Sequence, residues 1–193
     1  MSTVIEKSDL LNIIDYEKQR NIYRKELIDY KKNRRFNLGS NILITFENSR
    51  TMKFQIQEMM RAERMVHDSQ IEEELNVYNP LIPKGNELSA TLFIEITDPQ
   101  KIRPVLDSFI GLTEGENVYF DINGEKVYAQ FEEGREKEDN ISSVHYIRFP
   151  FIEEQKILFM NEASTISINI DYNDYQYSVD LNEKMRESLS SDF

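Results

Sequence analysis

The stretch VYFDINGEKVYAQF, residues 118–131, decides the fold class of this chain. On both sides of Asn123 and Gly124, apolar side chains alternate with polar ones, which is the period of a strand with one buried face. An Asn-Gly pair accepts the positive φ angles of a type I′ turn, a common connection in two-residue hairpins. The stretch therefore predicts an antiparallel hairpin.

Similar alternation extends outward from this hairpin in both directions. Upstream, residues 35–38 and 41–48 predict a second hairpin around Gly39 and Ser40, and residues 88–97 predict a single strand. Three more strands are predicted downstream, over residues 142–151, 165–172 and 175–181. A charged segment over 134–140 predicts a mobile loop.

Helical spacing is concentrated in the N-terminal half of the sequence. Residues 15–33 predict a charged amphipathic helix, and a second helix covers the segment around residues 55–59. A third begins at Ser69, where Glu72 completes a capping box, and ends near Tyr78. Shorter helices are predicted over 98–111, over 153–161 and after Asn182.

These elements predict an α+β fold, with a mostly antiparallel sheet or a small barrel and with amphipathic helices concentrated in the N-terminal half. The length of 193 residues suits a single domain. We expect a helical N-terminal segment over 1–35, an α+β core over 36–181 and a C-terminal helix or tail over 182–193.

Composition excludes several classes of function. The chain has no cysteine, which removes disulfide frameworks, cysteine nucleophiles and protein-ligated iron–sulfur clusters. It has neither a signal-peptide pattern nor an apolar run long enough to span a membrane, so we expect a cytoplasmic protein that does not bind membranes. No Gly-x-Ser-x-Gly, Gly-x-Gly-x-x-Gly or Walker pattern occurs. Whether the protein is an enzyme is left open.

Charge is distributed unevenly along the chain. Residues 1–70 contain 13 Lys and Arg against 10 Asp and Glu, whereas residues 71–193 contain 10 against 25. Such an acidic balance argues against binding to nucleic acid. The run KKNRR, residues 31–35, is interpreted as cations that complement a helix C-terminus, with a contact to RNA or phosphate as the alternative.

The segment QIQEMMRAERMVHD, residues 55–68, contains the candidate site. At 100° per residue its apolar side chains form one broad sector, with Glu63 near the middle and His67 one turn further on. Gln57 and Arg61 point largely to the opposite side. A carboxylate inside an apolar sector requires a partner, since burying an unpaired charge is unfavourable.

Three kinds of partner remain open for Glu63. It could belong to a structural ion pair or polar network, or it could line a site for a small molecule or a protein partner. It could also bind iron, manganese or zinc together with His67, because glutamate and histidine are ligands for these metals. No other cofactor is evident in the sequence.

His145 has the same strand parity as Ile147, Phe149 and Phe151, so we expect it inside the protein. It could be a hydrogen-bonded core residue or a group that converges on Glu63. Tyr78 and Asn79 could line the same pocket or could form only a cap and a turn. The full candidate pocket comprises Gln55, Gln57, Glu58, Arg61, Glu63, Glu74, Tyr78, Asn79 and His145.

Three parts of the sequence carry a resemblance to a known family. They are NRRFNLGSNILITFENSRTMKFQIQEMMRAERM, IEEELNVYNPLIPKGNELSATLFIEI and SSVHYIRF. Over nearly its whole length the chain resembles an uncharacterised bacterial family. The resemblance implies genes beside rubrerythrin and a heterodisulfide-reductase-like iron–sulfur oxidoreductase, and hence peroxide or thiol redox metabolism.

Two hypotheses follow for the function. In the first, the protein is an accessory or partner-binding module of that redox system and contacts rubrerythrin or the iron–sulfur oxidoreductase. In the second, the candidate pocket binds a metal or a small molecule and carries out a reaction. The sequence does not determine the oligomeric state.

Overall fold

The structure of this protein is a computed structural model that describes residues 4–132, 136–137 and 140–193. Of the loop predicted over 134–140, residues 134, 135, 138 and 139 lie outside the described residues. The prediction of a mobile loop therefore stays a prediction there. Glu136–Lys137 pairs with Asn140–Ile141 as a two-residue antiparallel ladder.

The described residues contain six α-helices, three of which lie in the N-terminal half as predicted. These three are α1 (Ile13–Lys31), α2 (Ser49–Ala62) and α3 (Asp68–Tyr78). The other three are shorter: α4 (Ile102–Asp107), α5 (Glu153–Met160) and α6 (Glu183–Ser190). None of the described helices is both long enough and apolar enough to cross a membrane.

Asparagine side chains begin several of these helices, because their oxygens accept hydrogen bonds from the first free amides. Asn12 caps α1 and Asn48 caps α2. The predicted cap of α6 is confirmed, since Asn182 accepts a hydrogen bond from the amide of Met185. The capping box predicted at Ser69 is wrong. Helix α3 begins one residue earlier, after His67, and Ser69 therefore falls inside its first turn.

The strands are β1 (Arg35–Leu38), β2 (Ile42–Glu47), β3 (Glu87–Ile94), β4 (Val118–Ile122), β5 (Glu125–Tyr128), β6 (Gln130–Phe131), β7 (Glu136–Lys137), β8 (Asn140–Ile141), β9 (Val144–Pro150), β10 (Ile166–Tyr172) and β11 (Tyr175–Asp180). The first sheet has the order β1-β2-β3-β9-β6 and the second has the order β11-β10-β4-β5. All their pairings are antiparallel.

The stretch 118–131 joins the two sheets. The predicted hairpin is confirmed, with Asn123 at φ 55° and Gly124 at φ 93° between β4 and β5. After Ala129 the chain crosses over, and β6 pairs with β9 of the first sheet. The predicted α+β class is confirmed, but the barrel alternative is wrong, because the described strands form separate sheets whose edges stay open.

Two apolar clusters hold these layers together. The larger cluster fills the space between the sheets, where Phe120 of the second sheet lies 5.5 Å from Phe46 and 4.8 Å from Phe149 of the first, measured between ring centroids. The smaller cluster packs α2 and α3 against the opposite face of the first sheet, where Tyr146 contacts it. The first sheet is thus covered on both faces, which creates the setting for a buried site.

Candidate functional site

A cavity of about 210 Å³ lies between the first sheet and the helices that cover it. We call this cavity the Glu47 chamber. It is lined by Lys31, Arg35, Thr45, Glu47, Met52, Gln55, Tyr78, Leu81, Thr91, Phe93, Val144 and Tyr146.

The floor of the Glu47 chamber is a polar row that crosses four neighbouring strands. Arg35 is paired with Thr45, Thr45 with Thr91, and Thr91 with Tyr146. Residues directly opposite one another in neighbouring strands lie on the same face of a sheet. The alternate residues of these strands, such as Ile44 in β2, belong to the cluster between the sheets. The register therefore directs the polar row toward the helices.

Glu47 is the buried charge of this chamber, with only 5% of its surface exposed. Its Oε1 atom accepts a hydrogen bond of 3.2 Å from the Thr91 hydroxyl. Its Oε2 atom is buried and accepts no hydrogen bond from any described residue, and the buried Thr45 hydroxyl also has no hydrogen-bond partner among them. A buried polar group without a hydrogen bond costs about 1–3 kcal/mol, and more if it is charged.

Two cations border the same chamber. Lys31 is the last residue of α1, and its Nζ atom lies 3.9 Å from Glu47 Oε2. Burial lowers the pKa of Lys31, and the charge of Glu47 opposes this effect. Arg35 lies on the edge strand β1 and is exposed. It forms no ion pair or hydrogen bond with the side chains of other described residues, so its guanidinium group can bind a ligand.

The remaining walls combine a phenol, an amide and apolar side chains. Burial raises the pKa of Tyr78, and a hydrogen bond from Gln55 opposes this effect. Met52 and Leu81 are buried, whereas Phe93 and Val144 are partly buried. The chamber therefore has an ionic side and an apolar side.

Only two of the predicted pocket residues line this chamber, namely Gln55 and Tyr78. Gln57 was expected on the polar side of its helix, but it is 1% exposed and hydrogen-bonds to both the amide and the carbonyl of Leu11. Asn79 makes the same pair of bonds with the backbone of Ile5. Both amides hold the segment before α1 against the helices.

Glu58 and Arg61 connect α2 to α1. Glu58 accepts two hydrogen bonds of 2.7 Å from the Arg20 guanidinium and one of 2.6 Å from the Tyr16 hydroxyl. The hydrogen bonds from Arg20 hold the pKa of Glu58 below its usual range. Arg61 pairs with Glu17 in a more exposed position. These contacts use the side chains within the helix pair, away from the Glu47 chamber.

The prediction of Glu63 beside His67 in an apolar sector of one helix is wrong. Helix α2 ends at Ala62, Glu63 is its C-cap, and Arg64 adopts a left-handed φ of 53°. His67 precedes α3, and both Glu63 and His67 are exposed. Within the described ranges no three His, Cys, Asp or Glu residues lie close enough to hold a metal ion. The iron, manganese or zinc site predicted for Glu63 and His67 stays a prediction.

Glu74 and His145, the last two predicted pocket residues, do not line the Glu47 chamber. Burial raises the pKa of Glu74, and the charge of Glu63 adds to this effect, so these two carboxylates lie within electrostatic range of each other. The predicted burial of His145 is confirmed at 1% exposed. It lies against Phe131 and bonds to the carbonyl of Ser142. Strand parity places it on the face of β9 opposite Tyr146, away from the Glu47 chamber.

An α+β protein with a polar chamber between a sheet and its covering helices is the class that these observations define. The chain belongs to the family described as "Protein of unknown function (DUF3501)", which matches residues 4–193. The predicted membership of an uncharacterised family is thereby confirmed, whereas its gene neighbourhood stays a prediction.

Among solved structures, one similar chain is a "novel protein of unknown function" from Burkholderia pseudomallei K96243. The two chains are 28% identical with a TM-score of 0.90, and the match covers 98% of this chain and 99% of that one. The comparison with curated proteins gives no match.

Proposed function

We propose that this protein binds a small polar molecule in the Glu47 chamber. One observation carries the proposal: Glu47 Oε2 and the Thr45 hydroxyl are buried, accept no hydrogen bond from the described residues and belong to side chains that line one cavity. Buried polar groups are nearly always hydrogen-bonded, and a functional role is one of the explanations for an exception. A ligand with hydrogen-bond donors would satisfy both groups.

Stability arguments support a functional origin for this arrangement. A buried ion pair is often less stable than apolar residues of similar size, because desolvation outweighs the attraction between the charges. Lys31 and Glu47 also lack the direct hydrogen bond that would strengthen their interaction, since 3.9 Å separates the charged atoms. A destabilised arrangement of this kind is one recurrent cost of a functional site.

The test is thermal unfolding of the full chain in the presence of amino acids, amines, carboxylic acids and polyols, each at millimolar concentration. A ligand at one hundred times its Kd stabilises the folded protein by about 2.7 kcal/mol. We expect at least one compound to raise the Tm of the wild type and of Glu125→Gln, a matched change of an exposed strand glutamate. Glu47→Gln should lose this response.

A second measurement requires no ligand. The double variant Lys31→Met/Glu47→Leu should increase the free energy of unfolding by about 1–4 kcal/mol, because it replaces a poorly paired buried ion pair with apolar groups. A double variant that is less stable than the wild type, together with no response to any compound, would mean that the chamber is a structural polar network.

The role of accessory module for rubrerythrin or an iron–sulfur oxidoreductase stays a separate prediction. It comes from the resemblance alone, and the chamber argument does not depend on it. Affinity capture with the full chain as bait tests it directly. Recovery of either protein in stoichiometric amounts would support the accessory role, and its failure would leave binding in the chamber unaffected.

A further inference from the structure

We propose that the ligand of the Glu47 chamber is a small aliphatic α-amino acid. This inference rests on the proposed function. In it, the ammonium group of the ligand donates hydrogen bonds to Glu47 and Thr45, while its carboxylate accepts hydrogen bonds from Lys31 and Arg35.

The charges of the chamber provide the first argument. Lys31 Nζ and Glu47 Oε2 lie 3.9 Å apart, too far for a direct hydrogen bond. The two opposite charges are therefore adjacent, and Glu47 Oε2 can still accept a hydrogen bond. An α-amino acid carries opposite charges on two groups attached to one carbon. It can therefore meet both protein charges at once, whereas a simple amine or a simple acid would satisfy only one of them.

The hydrogen-bond donors and acceptors of the chamber provide a second argument for an α-amino acid. Thr91 already donates to Glu47 Oε1, whereas Glu47 Oε2 and the Thr45 hydroxyl, both on side chains that line the chamber, keep unused acceptor capacity. An ammonium group has donors for both of them. At the other end, Arg35 has no partner among the described side chains, and its planar guanidinium suits a carboxylate. Together with Lys31 it forms the cationic side.

Size and wall chemistry restrict the side chain of the ligand. A volume of about 210 Å³ lies below the roughly 300–1,000 Å³ of pockets for drug-sized ligands and therefore favours a small ligand. Met52, Leu81, Phe93 and Val144 provide apolar surface. These limits favour a short aliphatic side chain such as that of valine, and they disfavour large, aromatic or strongly polar side chains.

Isothermal titration calorimetry with three related compounds tests the assignment. L-Valine carries both charged groups, isobutylamine lacks the carboxylate, and isovalerate lacks the ammonium group. We expect L-valine to bind, and we expect each analogue to bind about ten- to hundredfold more weakly, because each loses hydrogen bonds to charged groups. L-Aspartate, which has a charged side chain, should also bind more weakly than L-valine.

Variants identify which protein group meets which end of the ligand. Lys31→Met should weaken L-valine binding about tenfold or more without weakening isobutylamine further. Glu47→Gln should weaken L-valine similarly without weakening isovalerate. Lys32→Met is the matched control, since Lys32 is an exposed neighbour that pairs with Asp29 on the helix surface, and it should bind like the wild type.

The outcomes separate this inference from the proposed function. If isobutylamine, isovalerate or a polyol binds as tightly as L-valine and Glu47→Gln abolishes that binding, the chamber binds small molecules but the amino-acid assignment is wrong. If no compound binds and Lys31→Met/Glu47→Leu is less stable than the wild type, both proposals are wrong.

Discussion

At the scale of single residues, Gly39 determines how the two sheets meet. It lies between β1 and β2 at φ +75°, and a Cβ atom there would lie 2.5 Å from Tyr177 Cε2 and 2.6 Å from the Tyr175 hydroxyl. That hydroxyl donates a hydrogen bond to the carbonyl of Leu38 and accepts one from the amide of Asn41. Gly39 thus allows β11 to approach the β1-β2 turn.

We predict that Gly39→Ala lowers the free energy of unfolding by about 2–4 kcal/mol, from backbone strain and from the clash with two tyrosines. Urea denaturation measures this loss. Gly85→Ala is the matched control, because Gly85 also has a positive φ of +65° but no atom within 4 Å of the added Cβ. It should cost only about 1–2 kcal/mol, the cost of the left-handed backbone alone. Equal losses in the two variants would show that the tyrosine contacts are unimportant.

At the scale of secondary-structure elements, the contact between α1 and α2 depends on pH through Glu58. Hydrogen bonds from Arg20 lower its folded-state pKa, so its contribution is present above the unfolded pKa and is lost as pH falls through the folded value. We predict that Glu58→Gln reduces the free energy of unfolding by about 2 kcal/mol at pH 7 and has a smaller effect at acidic pH.

Denaturation curves between pH 7 and pH 3 measure this difference. Glu17→Gln is the matched control, because Glu17 pairs with Arg61 across the same two helices but its side chain is 54% exposed. Its effect should be small at every pH, since solvent screens exposed ion pairs. If the difference between wild type and Glu58→Gln does not shrink on acidification, the bidentate contact is not the source of the stabilisation.

The sequence predicts those elements whose ends are set by local turn chemistry. The hairpin at Asn123 and Gly124 follows from local turn chemistry, and the end of α3 follows from Pro80. The end of α2 could not be read from periodicity, because the helical pattern continues past Ala62 although the chain turns at Arg64. Glu63 was consequently placed in an apolar sector that does not exist.

The chamber floor was not predicted, because its burial depends on contacts between distant segments. Thr45 and Glu47 alternate with buried residues in β2, and Ser89 and Thr91 do so in β3, a pattern that usually indicates a solvated face. What buries them is the packing of α2 and α3 on that face, a contact between distant segments. The available signal was the amphipathic pattern of α2, whose apolar side needs a surface to cover.

At the scale of the whole molecule, Arg34 connects the three segments expected from the sequence. The side chain is fully buried and donates hydrogen bonds to the carbonyl of Phe46 at 3.0 Å and to that of Ser188 at 2.7 Å. It also pairs with Asp192, which accepts a further hydrogen bond from Asn48 at 2.8 Å. Residues from 1–35, 36–181 and 182–193 thus meet at one ion pair.

We predict that the Arg34–Asp192 ion pair makes the chain unfold as one cooperative unit. Burial raises the pKa of Asp192 even though Arg34 opposes the effect, so desolvation exceeds the attraction within the pair. Removing only one partner would leave the other charge buried and uncompensated. Asp192→Asn should therefore lower the free energy of unfolding by about 3–5 kcal/mol, while unfolding keeps a single transition.

Calorimetry and urea denaturation of a double-mutant cycle test both parts of this prediction. Arg34→Met/Asp192→Leu should lose less stability than the single variants Arg34→Met and Asp192→Leu added together, because it removes both charges at once. Asp174→Asn, in the exposed β10-β11 turn, should behave like the wild type. A second transition in Asp192→Asn would show that the segment after residue 182 folds independently of the rest, and additive losses would show that the pair is not coupled.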